Sequence, residues 1–394
     1  MYKKLVLKKG KEKSLLNFHP WIFSGAVASK VSDLANGDIV EVFSSNKKYL
    51  ATAYFNHGSI IGRVISYSQR EISYDFWKEK FSSAFLLRQK SGFVDNKSTS
   101  AFRLINAEGD GMPGLIVDVY NRTAVMQAHT LAMHNQAETF SKILGEIFEN
   151  DFSVFDKSAE TLNRKNASSA ETHNKYLLGE KGDQVIAENG LKFFVDWEQG
   201  QKTGFFIDQR DNRRLLSDYS LNRKVLNAFA YSGGFSVYAL NAGATLVHSV
   251  DSSESAAQWA EKNVALNFTD EKRHTFIKED VFDFLKKSQE KYEVIVLDPP
   301  AFAKHISAIK NASIGYRNLN AEAMRKIAPG GILFTFSCSQ HIDQALFQKI
   351  VFAAAAMVKR NVRVLHRLHQ PADHPFSIYH PEGEYLKGLV LYVE

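Results

Sequence analysis

Cys338 is the only cysteine in 394 residues, and it stands between two serines in "FTFSCSQHI", residues 334–342. Asp298 opens a second notable stretch, "DPPAF", 338 − 298 = 40 residues earlier. A thiolate can attack an electron-poor ring carbon. Cytosine needs that help, because its carbon 5 is too weak a nucleophile to take a methyl group unaided. Thiolate addition at carbon 6 makes carbon 5 enamine-like. A carboxylate can hold the base edge and manage the proton at ring nitrogen 3. Two prolines after Asp298 remove backbone donors and push the aspartate toward an extended conformation. Asp298 is thereby a rigid carboxylate, with Phe302 nearby as a stacking surface. The plain alternative for a lone cysteine is a small buried hydrophobe. Position favours the nucleophile, since a helix N-terminus expected near Ile342 or Asp343 lowers a neighbouring thiol's pKa.

Further polar residues fall at the ends of apolar runs. "NAFAYSGGFSVYAL" contains Gly233–Gly234, which lets backbone approach a ligand at the start of a helix. This stretch has no GxGxxG, so a dinucleotide pyrophosphate has no cradle here. S-adenosylmethionine (SAM) carries no phosphate, and a looser small-residue turn suffices for it. Asp251 ends the next run, 251 − 233 = 18 residues on, near the usual distance of about 20 for a ribose-binding acid. Its other reading is a helix N-cap in "VDSSES". Asp280 in "KEDVFDFL" either binds the adenine amino group or caps the following helix. Both readings stay open.

These residues need elements to hold them. From about residue 205, apolar strand candidates alternate with helical patterns: "KVLNAF", "TLVHSVD", "HTFIKED", "YEVIVLD", "GILFTFS" and "NVRVLHRL", with "LKGLVLYVE" last. Such alternation predicts a parallel sheet covered on both faces, with ligands beyond the carboxyl ends of its strands. Residues 1–72 instead show short β-rich runs between turn residues, which predicts a small barrel. Between them lie a probable helix, "DFWKEKFSSAFLLRQKSGF", two strand-like runs, a helix near 131–149, and a hairpin turning at Asn189–Gly190. The polar stretch "LNRKNASSAETHNK" reads as a surface loop or linker.

Composition sets bounds. One cysteine excludes an internal disulfide and a multi-cysteine zinc site, so the chain reads as intracellular, in the cytoplasm. The start lacks a signal-peptide apolar stretch, and the longest apolar run, "IVFAAAAMV", is too short to span a bilayer, so no membrane role is expected. The net charge of +6 and pI near 9.0 suit a polyanionic partner. His366, His369 and His374 cluster in "HRLHQPADHP", but no accompanying carboxylate–histidine helix motif supports zinc, and no metal is expected.

At this point the sequence resembles a known family, the ribosomal large-subunit methyltransferase I type of SAM-dependent RNA cytosine-5 methyltransferase. "HPWIFSGAV" resembles the opening of that family's N-terminal PUA domain, an RNA-binding barrel. "GDGMPGLIVDVY" resembles its middle domain and "QKTGFFIDQRDNR" the segment leading into the catalytic domain. "NAFAYSGGFSVYALNAGA", "VDSSESA", "LDPPAFAK", "FSCSQHI" and "ADHPFSIYHPEGEYLKG" resemble successive motifs of the methyltransferase domain. The resemblance implies an α/β fold: a Rossmann-like class I SAM methyltransferase domain over 191–394, preceded by a β-barrel PUA-like domain over 1–72 and an α+β middle domain over 73–190 that contacts the RNA substrate. It implies SAM as cofactor and RNA, of the ribosomal large subunit (23S), as partner. Cys338 becomes the nucleophile and Asp298 its partner at the base. Asp251 and Asp280 bind SAM, the turn Tyr231–Ser232–Gly233 lies beneath its methionine part, and Gln209 and Arg210 line the same pocket.

One departure stands out. The broader cytosine-5 RNA methyltransferases commonly carry a second cysteine after the fourth strand, used in product release. "DPPAF" takes that place here, so the proton-abstracting base has no assigned residue. "DPPAF" also resembles the motif of enzymes that methylate exocyclic amines of adenine or guanine without a cysteine. A non-catalytic RNA-binding protein is a third reading. Neither the modified nucleotide nor the oligomeric state is legible in the sequence, a homodimer being one candidate.

Overall fold

The apolar runs after residue 205 fold as one sheet of seven strands in the computed structural model, which describes residues 2–28, 31–149, 151–163, 173–303 and 305–394. Most of the polar stretch expected as a loop, residues 164–172, lies outside the described residues. The chain divides into two units. The first comprises Met1–Ile186, Val195–Phe205 and Ala372–Gly383; the second comprises Ala187–Phe194, Phe206–Pro371 and Glu384–Glu394.

The second unit carries the sheet. Its strands are β1 (Lys224–Ala228), β2 (Leu246–Asp251), β3 (His274–Lys278), β4 (Tyr292–Leu297), β5 (Ile327–Ser337), β6 (Val362–Leu368) and β7 (Lys387–Val393). Their order is β3-β2-β1-β4-β5-β7-β6. Strands β1 to β5 pair in parallel, whereas β7 is antiparallel to both β5 and β6. Between β6 and β7 lies only the short 3-10 turn Pro381–Gly383 and no crossover α-helix, so an antiparallel insertion is the available geometry. The helices are α1 (Arg210–Ser217), α2 (Gly234–Asn241), α3 (Glu254–Asn267), α4 (Val281–Lys287), α5 (Ile309–Lys326) and α6 (Gln344–Val358).

Strands β1, β4 and β5 are almost wholly buried, as expected for a parallel sheet covered on both faces. Leu226, Ile295, Leu333 and Leu391 pack there with Tyr316 and Leu319 of α5 and Phe347 and Ile350 of α6. Three helix starts are fixed by side-chain caps: Ser253 accepts from Ala256 N, Asp280 from Phe282 N and Asp283 N, and Asp343 from Leu346 N. Each cap satisfies donors that a helix N-terminus leaves open.

The first unit holds two five-stranded sheets. One orders Lys3–Val6, Ile39–Phe43, Tyr49–Phe55, Ile60–Ser66 and Trp21–Phe23. A bridge between Leu7 and Val27, with Lys8 N→Ala26 O and Ala28 N→Val6 O bonds of 2.8 Å, joins its two edges into a barrel. Leu5, Val40, Val42, Ala51, Ala53 and Phe55 fill it. The other sheet orders Lys175–Leu178, Ser153–Asp156, Thr123–Ala128, Leu115–Tyr120 and Ala101–Asn106. Helices Tyr74–Lys90 and Ala137–Phe148 pack on it through Phe81, Phe140 and Leu144. In the second unit the Asn189–Gly190 turn forms as its sequence dictates, with φ of 50° and 83°, between strands Val185–Glu188 and Leu191–Phe194.

Candidate active site

The carboxyl ends of β1 to β5 carry the polar residues singled out in the sequence. After β1 the chain turns tightly through residues 229–233, with Phe229 at φ 61°, Tyr231 at 45° and Gly233 at 73°. Left-handed backbone at two aromatic residues is uncommon, and the surroundings hold it. Asp251, the last residue of β2, does part of this: its carboxylate accepts from Tyr231 N at 3.1 Å and from Ser253 N at 3.0 Å. Ser232 O accepts from the buried Asn263 amide of α3 at 2.8 Å. A Cβ at Gly233 would lie 3.0 Å from Ala260 Cβ, and one at Gly234 3.0 Å from Arg213 Cδ. The glycine pair thus serves the close approach of α2 to α3 and α1.

Beneath this turn lies a buried polar assembly that sequence reading missed. Arg213 of α1 donates to both carboxylate oxygens of Glu188 at 2.7 Å and to Phe206 O at 2.9 Å. Tyr238 of α2 donates to the same carboxylate at 3.1 Å. Burial opposes the Arg213 charge, yet Glu188's charge and hydrogen bonds outweigh it and raise the guanidinium's pKa. Phe206 and Trp259 each meet Tyr231 edge-on, at 5.1 Å and 5.4 Å. Gln209 and Arg210 are both buried: the Gln209 amide oxygen accepts from Asn212 at 2.6 Å, and Arg210 Nε lies 4.0 Å from Glu188. The only sequence signal for the assembly was the run of charged residues in "DQRDNR".

Asp280 follows β3 and caps α4, its Oδ1 accepting from Phe282 N at 2.9 Å and Asp283 N at 3.1 Å. Of its two sequence readings, the cap is therefore present in the geometry. The side chain is also exposed at the sheet edge.

Beyond β4 and β5 the two most reactive candidates come together. Strands β4 and β5 are neighbours in register, Leu297 opposite Thr335. Asp298 and Cys338 therefore leave adjacent strands at the same edge. The Cys338 thiol points to Pro299 O at 3.9 Å. Ser339 is buried and fixes both loops: its hydroxyl accepts from Ala303 N at 3.1 Å and pairs with Tyr316 of α5 at 3.0 Å. Phe302 packs on Tyr316 at 4.5 Å with the rings tilted by 37°, and lies 6.4 Å from Phe282. The histidines play other parts: His366 bonds the Tyr219 hydroxyl at 2.7 Å, His369 faces Gln370 O, and His374 is buried beside Asp373.

A turn at the first strand end, an acid at the second and no phosphate cradle make an arrangement suited to a nucleoside without a pyrophosphate. Comparison with known proteins agrees. Residues 161–388 match the family model for S-adenosylmethionine-dependent methyltransferases, and residues 5–67 match that for PUA-like domains. The "Ribosomal RNA large subunit methyltransferase I" of Aeromonas salmonicida is 38% identical over 394 residues, covering 98% of each chain. That of Pseudoalteromonas atlantica is 39% identical over 396 residues, covering 99% of each.

The chain belongs to the ribosomal RNA large subunit methyltransferase I family.

Among solved structures, a SAM-dependent methyltransferase from Streptococcus mutans superposes with a TM-score of 0.87 at 22% identity, covering 99% of this chain and 100% of that one. A methyltransferase crystallised with SAH gives the same TM-score at 23% identity. The two share the whole fold with this family member. SAM is its cofactor. The residues present fit that group: two backbone N–H bonds orient the half-buried Asp251 carboxylate, and each of its oxygens has a second lone pair for a ribose hydroxyl. No described helix is long and apolar enough to cross a membrane.

Proposed function

We propose that this chain methylates carbon 5 of a cytosine in large-subunit ribosomal RNA, with Cys338 as the nucleophile. The observation that carries the reading is the pairing of Cys338 with the Asp298–Pro299 turn, at the ends of neighbouring strands and on the same sheet edge as Asp251. SAM supplies an electrophilic methyl group on a sulfonium centre. Cys338 adds to carbon 6 as the thiolate, forming an S–C bond and moving the electron pair of the 5,6 double bond to carbon 5. Asp298 holds the polar edge of the ring and the proton at nitrogen 3 while that charge develops. Phe302, backed by Tyr316, offers a face for the base. Once carbon 5 has taken the methyl group, with the thioether S-adenosylhomocysteine as leaving group, its proton passes to solvent, the C–H electron pair re-forms the 5,6 double bond, and the S–C bond breaks with its pair returning to Cys338 as thiolate. Asp251 and the Tyr231–Gly233 turn hold SAM, with Asp280 at the adenine end and Gln209 and Arg210 supporting the pocket.

The relatives' names support ribosomal RNA as substrate. The PUA-like match and the exposed Lys9, Lys11 and Lys13 support RNA binding by the barrel, residues 1–72. Residues 73–190 then form a middle domain that contacts RNA, and 191–394 the methyltransferase domain. The enzyme works in the cytoplasm, where ribosomes are assembled.

Two measurements test this. Mass mapping of ribosomal RNA from cells with and without the gene should find one 5-methylcytosine that depends on it. RNA containing 5-fluorocytosine should trap the protein in a SAM-dependent adduct that survives denaturing electrophoresis, because fluorine sits where a proton must leave. A methylated exocyclic amine as the only product would sink the reading.

A further inference from the structure

Lys387 opens β7, is 2% exposed, and stands in register opposite Ser337, the last residue of β5. Its Nζ donates to Ser339 O at 2.8 Å and to Tyr385 O at 2.6 Å. Ser337 and Ser339 flank Cys338, so the lysine spans the turn that carries the thiol. A buried ammonium is costly unless an anion or several acceptors compensate it. Two carbonyl dipoles meet part of that need. An ammonium has three donors, and a negatively charged sulfur would complete the set.

We propose that Lys387 is a positioning residue that holds Cys338 as its thiolate, which rests on the reading of Cys338 as nucleophile. The S–H bond breaks heterolytically, its electron pair stays on sulfur, the proton goes to water, and Lys387 keeps its own three protons. Electrostatics agree with the geometry. Burial lowers the Lys387 pKa to about 8, while the charges of Cys338, Glu384 and Asp343 act to raise it. Coupling between two sites is reciprocal, so a thiolate that favours the ammonium is itself favoured by it. Near pH 7 a lysine with that value is still protonated by roughly ten to one. Besides Cys338, the acidic groups that act on Lys387 are Glu384 before β7 and Asp343 at the start of α6. Tyr316 of α5 also faces Cys338, and its hydroxyl is kept protonated chiefly by burial and secondarily by Cys338. Lys387 sets a positive charge beside the turn that carries Cys338.

Because Cys338 is the sole cysteine, its reactivity can be read directly. The rate of iodoacetamide alkylation of the full chain, measured against pH without SAM or RNA, should have a midpoint at least one unit below the ordinary thiol value of about 8.5. Lys387→Met should move the midpoint up by about a unit or more, and Lys387→Arg should leave it close to wild type. SAM affinity by calorimetry reports whether the variants are folded. A wild-type midpoint at or above about 8.5 overturns the proposal, whatever the variants do. So does the same midpoint in wild type and a folded Lys387→Met. The assay requires no methyl transfer, so it separates the two readings. A shifted midpoint without 5-methylcytosine would remove the cytosine reaction and leave the ion pair. The product without the shift would remove only the role of Lys387.

Discussion

The Cys338 thiol lies 3.9 Å from the carbonyl oxygen of Pro299 and points toward it. Pro299 follows Asp298, so one contact ties the end of β5 to the end of β4. Both ends are held from below: Ser339 bonds Ala303 N and the Tyr316 hydroxyl, and Asp298 N reaches Ala228 O at 3.5 Å. Groups that must meet a substrate in one geometry gain from being fixed beforehand. Here a buried serine and tyrosine contribute to the fixing.

Asp251→Ala should weaken SAM binding by roughly 1–3 kcal/mol, the usual cost of losing hydrogen bonds to a charged group, or about 5- to 150-fold in Kd. The structure adds a reason beyond ribose contacts. The carboxylate also accepts from Tyr231 N and Ser253 N, so its loss loosens the turn after β1. Calorimetry on the folded variant checks this, and unchanged affinity would count decisively against a role at SAM.

Asp280→Ala should lower unfolding stability by about 1 kcal/mol, because the side chain caps α4. Asp280→Asn keeps the cap and should cost little stability. If Asp280 also binds the adenine amine, the asparagine variant loses SAM affinity while its denaturation midpoint stays near wild type. Urea titration paired with SAM calorimetry separates the two roles.

The sequence made the sheet legible because its strands are continuous apolar runs and their ends carry Asp251, Asp280, Asp298 and Cys338. The cap at Asp280 and the helix start near Asp343 were legible for the same local reason, whereas the cap in "VDSSES" is Ser253 and not Asp251. Long-range polar pairs were not. Glu188 and Arg213 are 25 residues apart and Lys387 and Ser339 are 48 apart, and no periodicity marks such partners. Residues 372–383 were equally opaque. They read as one motif with "GEYLKG", yet they pack in the first unit, where Arg88 donates to Asp373 O across 285 residues and a Cβ on Gly109 would overlap Pro375 O.

His274 of β3 yields a pH dependence. Burial lowers its imidazole pKa to about 4 from an ordinary 6.5, and its Nε2 pairs with the Ser249 hydroxyl at 2.8 Å. The folded pKa is below the unfolded one, so the unfolded chain takes up a proton first as pH falls. His274 therefore costs stability progressively from about 6.5 down to about 4, and no further below. Thermal melts of wild type and His274→Gln across that range should converge toward acid. Parallel curves would mean the histidine is not buried as a neutral ring.

Cys338→Ala should abolish methylation while leaving SAM affinity intact, since in the proposed mechanism the thiol meets the base and not the cofactor. Cys338→Ser should rescue little, because a hydroxyl is far less ionised than a thiol near neutral pH and is the weaker nucleophile. Serine is nearly isosteric with cysteine and alanine removes one atom, in a position that is half-buried rather than in the closed core. Large unfolding is therefore not expected, and lost activity can be read as lost chemistry. Methyl transfer to RNA, followed by nucleoside mass analysis with SAM calorimetry alongside, is the measurement. An alanine variant that still forms 5-methylcytosine at a comparable rate would end the covalent mechanism. Cys338 would then be a small apolar residue closing the gap between β4 and β5.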